Sequence, residues 1–226
     1  MAHPFANPFP IIGSQYCTPS EQEIVLVFLT LANGDFVVAD VNGSIKFIAK
    51  EVRRTLAPNL RIIHDVAGNP IVTMKPKVLT AHSRWEVFRG DSKDLQNLIF
   101  TAKTHLMVDL KTKLDVFLAN NTAEKVPDFK VKGSFSKKSC TICAGDKDPI
   151  IIAKMQKEKN KQNVDSILLG EDNFMVTAYP NVDFAFIFAL IVIFEEINRN
   201  SRATGSMVAN SVVNVDTGLQ LAGALS

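Results

Sequence analysis

From Phe184 to Phe194 the chain reads Phe-Ala-Phe-Ile-Phe-Ala-Leu-Ile-Val-Ile-Phe, its longest apolar run, without one polar side chain. Tyr179-Pro180-Asn181-Val182-Asp183 precedes it and Glu195-Glu196-Ile197-Asn198-Arg199 follows. A proline and two capping-type residues suit a helix start, and the segment is predicted to be helical over about 182–198. Its Phe, Ile and Val content favours a strand, but the run exceeds the roughly 4 to 8 residues of a buried strand, and length decides. The two glutamates near its end oppose the helix dipole slightly. At a rise of about 1.5 Å per residue the run covers about 17 Å, half of a hydrocarbon core near 30 Å. It is too short to span a membrane. A helix apolar on every side must therefore be surrounded by protein, and its burial contributes on the order of 15 kcal/mol before entropy.

What could surround it is bounded by size. With 226 residues, 46% hydrophobic and 21% charged, the chain can bury one substantial core, read here as a single large domain. Lys and Arg exceed Asp and Glu by 25 to 23, so a net charge of +2 sets up no global field calling for nucleic acid or an anionic membrane. Local patches are unaffected by that balance. Residues 1–20 hold several prolines and form an extended lead-in docked through Tyr16-Cys17-Thr18-Pro19; they lack the charged start and apolar centre of a secretory signal, which suggests an intracellular, cytoplasmic protein. Three cysteines, an odd number, fit reduced thiols better than a disulfide framework. Neither terminus carries a lipidation motif.

Between lead-in and helix the chain reads as short strands. Ile24–Leu29 and Asp35–Asp40 flank the Asn33-Gly34 turn, and a second Asn-Gly, Asn42-Gly43, precedes 44–50, where Ile45, Phe47 and Ala49 alternate with Lys46 and Lys50 in period two, broken by Ile48. The spelling Asp40-Val41-Asn42-Gly43 returns as Asp65-Val66-Ala67-Gly68 before a strand at 69–74, a weak repeat of turn residues. Lys75-Pro76-Lys77 is expected to interrupt that strand, because proline removes a ladder donor. Further strands are read at 84–89, 97–103, 114–118, 129–133, 139–143, 149–155, 166–169 and 173–178. The tail 200–226 is small, polar and almost uncharged, read as flexible with a short strand at 207–215. Ten or more short strands followed by one wholly apolar helix suggest a closed sheet with the helix as its filling. Closure would also remove exposed strand edges. A two-layer sheet would leave half of the helix uncovered.

Particular phrases carry a resemblance: Ala67-Gly68-Asn69-Pro70-Ile71-Val72-Thr73, Leu79-Thr80-Ala81-His82-Ser83-Arg84-Trp85-Glu86-Val87-Phe88-Arg89-Gly90, Leu110-Lys111-Thr112-Lys113-Leu114-Asp115-Val116-Phe117-Leu118 and Asp172-Asn173-Phe174-Met175-Val176. Together with Tyr179–Asp183 and the helix, they resemble the plant LURP-one-related family over about residues 10–199. The resemblance implies a mainly β, Tubby C-terminal-like fold, related to the phospholipid scramblases, in which a closed antiparallel barrel of roughly twelve strands encloses a hydrophobic C-terminal α-helix. The barrel would then occupy 21–199. It implies a link to plant defence, no established reaction, and phosphoinositide binding only by analogy with the Tubby branch.

Chemistry is sparse. Cys140-x-x-Cys143 has no second Cys or His pair at ligand spacing, and positions i and i+3 of a strand face opposite sides, so no metal site is expected. Cys17 reads as a small buried hydrophobe. His64, His82 and His105 are scattered, with no Gly-x-Ser-x-Gly and no phosphate-binding glycine loop, and no enzyme or cofactor is expected. Trp85, on the face of Val87, is assigned to core packing. The basic residues come in small groups whose ordinary reading is a solvated face. Lys75 with Lys77, and Lys130 with Lys132, project from one side of a strand, and together with Arg84 and Arg89 they form the candidate anion site for a phosphorylated inositol headgroup. The expected activity is that of a monomeric, non-catalytic binding or scaffold domain, with unknown protein partners, peripheral to the plasma membrane or nuclear. A scramblase-like membrane protein is the alternative, and an enzyme acting on a small lipid inside the barrel is a third.

Overall fold

The computed structural model describes residues 5–19, 22–54, 57–77, 84–106, 111–134, 139–156 and 174–199. Twelve strands are present among them: β1 (Ile24–Thr30), β2 (Phe36–Asp40), β3 (Ile45–Arg54), β4 (Ala57–Asp65), β5 (Pro70–Lys77), β6 (Arg84–Arg89), β7 (Leu98–Leu106), β8 (Lys111–Leu118), β9 (Phe129–Ser134), β10 (Ser139–Ala144), β11 (Ile150–Gln156) and β12 (Phe174–Ala178). Each pairs antiparallel with its neighbours in sequence, and β12 returns to β1 in the register Leu26 opposite Val176, which closes the barrel. Closure leaves none of these twelve strands with an unpaired edge to template another chain.

The helix α1 (184–199) runs through the middle. Every residue from Ala185 to Phe194 is buried, as the absence of any polar side chain requires. Residues two apart on a helix face nearly opposite directions, and both directions meet sheet. Phe186 packs on Phe100 of β7 and Phe129 of β9 at ring distances of 5.2 and 4.8 Å, while Phe188 packs on Phe28 of β1 and Phe47 of β3 at 5.6 and 6.0 Å. Between Ile187, Phe188 and Ile191 and the inner faces of β1, β2 and β12 the remaining gap is too small for a water molecule. On β9, Gly133 makes room for the last turn: a Cβ there would lie 2.4 Å from Phe194 Cζ.

The two ends of α1 are fastened differently. At its start Asp183 caps the helix, its Oδ1 accepting from Phe186 N at 3.1 Å, while its Oδ2 accepts the backbone N–H groups of Ile11, Ile12 and Gly13 at 3.0, 2.7 and 3.1 Å. Thr18 accepts from Val182 N through Oγ1 and donates that hydroxyl to the Tyr179 carbonyl. Asn181 donates to the Phe5 carbonyl, and Ile12 is buried in the core. The lead-in is thus a strap across one mouth of the barrel, docked from Phe5 to Thr18 rather than through 16–19 alone. At the far end Glu196 meets Arg61 of β4 at 2.7 Å, both side chains almost wholly buried, and Arg199 at 3.4 Å. The Arg61 and Arg199 guanidiniums lie 4.7 and 4.4 Å from the ring centre of Phe36. These two cations offset the dipole conflict of a glutamate in a last turn.

A strand that the sequence pattern does not announce, β4, occupies Ala57–Asp65. Pro76 does not interrupt β5: it sits opposite Trp85 of β6, beyond Met74, the last β5 residue in the described pairing with β4. The strand at 44–50 continues to Arg54. The strands read at 166–169 and 207–215, the tail 200–226 and His82 lie outside the described residues, as does the side chain of His105. The repeated Asp-Val-x-Gly spelling is one turn used twice. In both, the aspartate carboxylate accepts backbone N–H groups of the turn and the glycine takes a positive φ, 82° at Gly43 and 85° at Gly68.

Candidate functional site

Alternation along the strands sorts the basic residues before any partner is considered. On β9 Val131 is fully buried and Lys130 and Lys132 face outward on either side of it. By the same period of two, Met74 points in and Lys75 and Lys77 out on β5, while Trp85 and Val87 point in and Arg84 and Glu86 out on β6. On β7 Phe100 and Ala102 line the core, leaving Thr101 and Lys103 outside, and on β8 Leu114 and Val116 leave Lys113 and Asp115 outside.

Register then aligns these side chains across strands. Lys77 lies opposite Arg84, Arg84 opposite Lys103, Lys103 opposite Asp115, and Asp115 opposite Lys130, a single outward row of four cations and one carboxylate. A parallel row runs Lys113, Lys132, Thr141, Lys154. At about 4.8 Å per strand the first row is roughly 19 Å long. Of the six residues singled out in the sequence, the first row collects Lys77, Arg84 and Lys130; Lys132 stands in the second row and Lys75 next to the first. Arg89 is not among them. It lies at the other end of β6, about 17 Å from Arg84 by strand rise, and its Nη1 donates to the Ile12 carbonyl of the strap at 2.6 Å. Lys103 and Lys113 were overlooked because Lys103 ends a run read only for its apolar residues and Lys113 falls just before the strand expected at 114–118, although both alternate with the apolar positions.

The wall carries some of its own counter-charge. Lys77 meets Glu86 at 3.2 Å, Lys113 meets Asp115 at 3.1 Å, and Lys130 pairs with Asp146, whose carboxyl it holds below the usual range. Lys132 and Lys75 are paired with no carboxylate among the described residues. Lys113 and Lys132 face each other directly, an opposition of like charges that a sheet tolerates poorly without a nearby anion. The loop 119–128 folds back over the row. Asn121 and Asp128 build its base, Asn121 Nδ2 donating to Asp128 Oδ2 at 2.9 Å and Asp128 Oδ2 accepting from Leu118 N at 2.9 Å. Its Glu124 reaches between Arg84, which it pairs with, and Lys103 at 2.5 Å, and accepts from the Thr101 hydroxyl at 3.2 Å. Burial raises the Glu124 pKa, but Lys103 and Arg84 outweigh it and hold the carboxyl below its ordinary value.

Trp85 and Cys140 serve the core, whereas Cys17, expected to be a buried hydrophobe, is only half-buried, as is Cys143 opposite Lys130. Trp85 and Cys140 are buried, and burial pushes the Cys140 thiol far up, with Glu195 adding to the rise. Burial also raises Cys143, against the pull of Lys132 and Lys130, and raises Cys17 beside Asp183. No three His, Cys, Asp or Glu side chains are gathered as for a metal ion among the described residues, and no described helix is long and apolar enough to cross a membrane.

Comparison with known proteins matches the LURP-one-related family model over residues 25–195. From Arabidopsis thaliana, Protein LURP-one-related 15 is 45% identical across 85% of this chain and 88% of its own, and Protein LURP1 is 40% identical across 85% and 92%. An X-ray structure of an Arabidopsis thaliana protein superposes with a TM-score of 0.65 at 37% identity, over 84% of this chain and 98% of that one.

Proposed function

The chain belongs to the LURP-one-related family, and on that premise we propose that it is a non-catalytic intracellular binding or scaffold domain that docks on phosphorylated headgroups of an anionic membrane. Family kinship supports a setting in plant defence, and the filled barrel supports a place in the Tubby C-terminal-like group. The observation that carries the docking role is the outward row of Lys77, Arg84, Lys103 and Lys130, flanked by Lys75, Lys113 and Lys132. Seven of the chain's 25 Lys and Arg side chains stand on this one wall, where they act at short range without a global field.

The interior weighs against the other two roles. An enzyme acting inside the barrel needs a cavity, and α1 fills that space. A scramblase-like protein needs an apolar segment free to enter lipid, and the apolar residues of α1 are enclosed by strands.

Vesicle sedimentation tests the docking role. Phosphatidylcholine vesicles carrying phosphatidylinositol phosphates should bring the protein down at low salt and release it at high salt. At about 1 kcal/mol per basic residue near an anionic surface, Lys130→Glu combined with Lys132→Glu should weaken binding at least roughly tenfold. No binding to any anionic vesicle, or binding indifferent to salt, refutes the role.

A further inference from the structure

Glu124 enters the basic wall at a cost in backbone geometry. Its φ of 45° is one of two positive values among the described non-glycine residues, the other being Asn181 beside the strap. Three donors meet its carboxylate: Arg84 Nη2 and Thr101 Oγ1 at Oε1, and Lys103 Nζ at Oε2. Arg84 Nη2 also donates to Thr101 Oγ1 at 3.1 Å, which ties the donors to one another. The carboxylate does not use all that is offered. Nε and Nη2 form a two-donor fork suited to an oxyanion, and Arg84 Nε is buried without a partner. Two cations also converge on this one carboxylate, with Asp115 opposite Lys103 the next anion along the row. A phosphate monoester carries about −1.5 to −2 at neutral pH and three acceptor oxygens, which matches both the charge and the spare donor. A plain surface ion pair requires neither a left-handed backbone nor an empty fork position.

We infer that Arg84, Thr101 and Lys103 form a binding site for a phosphate monoester, and that Glu124 is an internal anion which the phosphate group displaces. This shares with the docking role the premise that the wall takes phosphate groups, and adds that one site on it is self-masked. The loop 119–128 then reports occupancy, since Glu124 leaves the wall when phosphate enters.

The decisive variant is Glu124→Gly, which removes the carboxylate and suits the positive φ, so the turn is not opposed. Wild type and variant are titrated with inorganic phosphate by calorimetry, and beside it with phosphatidylcholine vesicles carrying a phosphatidylinositol phosphate. A mask closed about nine-tenths of the time weakens apparent affinity roughly tenfold, so Glu124→Gly should bind phosphate about tenfold more tightly. Adding Arg84→Ala should abolish the gain, and Arg84→Lys, which keeps the charge but lacks the fork, should lose most of it. Tightening toward both probes assigns the phosphate group itself as ligand, and tightening toward vesicles alone assigns the lipid headgroup. Unchanged or weaker affinity for both probes in Glu124→Gly, or a gain that survives Arg84→Ala, overturns the inference. Wild-type vesicle binding that depends on Lys130 and Lys132 but ignores Glu124→Gly removes the mask and keeps the docking role. Tighter inorganic phosphate binding without any vesicle binding does the reverse.

Discussion

Replacing Asp183 by alanine should unfasten both the helix and the strap in one step. The carboxylate is buried, 1% exposed, and accepts four backbone N–H groups: Phe186 within α1, and Ile11, Ile12 and Gly13 in the strap. Loss of the cap costs about 1 kcal/mol. The Ile12 N–H, in a residue 4% exposed, is left without an acceptor at about 1–3 kcal/mol, and the half-buried Ile11 and Gly13 add less because water reaches them in part. The sum is about 3–5 kcal/mol, a large share of the 5–15 kcal/mol by which domains are stable. For a chain of this size that corresponds to a fall in Tm of roughly 10 °C. Thermal melting gives the total, and amide hydrogen exchange locates it: Ile11, Ile12 and Gly13 should lose protection while the β7–β8 amides keep theirs. Deleting the strap first should reduce the effect of Asp183→Ala to little more than the cap, since the partners are already gone. If the three strap amides stay protected in Asp183→Ala, or if truncation and substitution add independently, the carboxylate does not hold the strap.

Gly133→Ala places a methyl group 2.4 Å from Phe194 Cζ and 2.8 Å from Cys140 Cβ, and overpacking should cost about 1–3 kcal/mol in urea denaturation, with partial recovery when Phe194→Leu is added. Glu196→Gln leaves the buried Arg61 charge without its partner and should cost about 3–5 kcal/mol, whereas Arg61→Met with Glu196→Leu should cost much less. Ile187→Asp buries a carboxylate where no water follows and should leave no cooperative melting transition. Because the Glu124 pKa is lowered, its ion pairs stabilise the fold fully above the unfolded-state value of about 4.5 and are lost as pH falls through the folded value. Glu124→Gln should therefore flatten the acid side of the stability curve below about pH 4.5, and an unchanged acid limb would count against the pairing.

The barrel was legible where one local rule dominates. An apolar run with no polar side chain has only one soluble fate, enclosure, and Lys130-Val131-Lys132 announces a half-buried strand by alternation alone. β4 was hidden because Pro58, Arg61 and His64 break that alternation. Arg61 points inward, where an apolar residue is expected, and its compensation, Glu196, comes from the far end of the chain. For the site, single-strand pairs such as Lys75 with Lys77 were readable, while the convergence of Arg84, Thr101 and Lys103 is a matter of register between strands. Glu124 arrives from a loop whose direction no local pattern encodes. Arg89 was grouped with Arg84 on sequence proximity, and six residues of extended strand carry it to the opposite rim.

The strap has a consequence for how the protein is made. Its acceptors at 179–183, and β12, which completes the β1 pairing, are among the last described segments to be synthesised, so the N-terminal residues must wait for the C-terminal ones. Until α1 arrives the emerging strands have neither a filling nor a closing partner, and β1 presents an open apolar edge. A ribosome stalled before residue 174 would therefore hold a chain that has begun to fold but has no stable state to reach, and a truncation that removes α1 should yield aggregate rather than a smaller barrel.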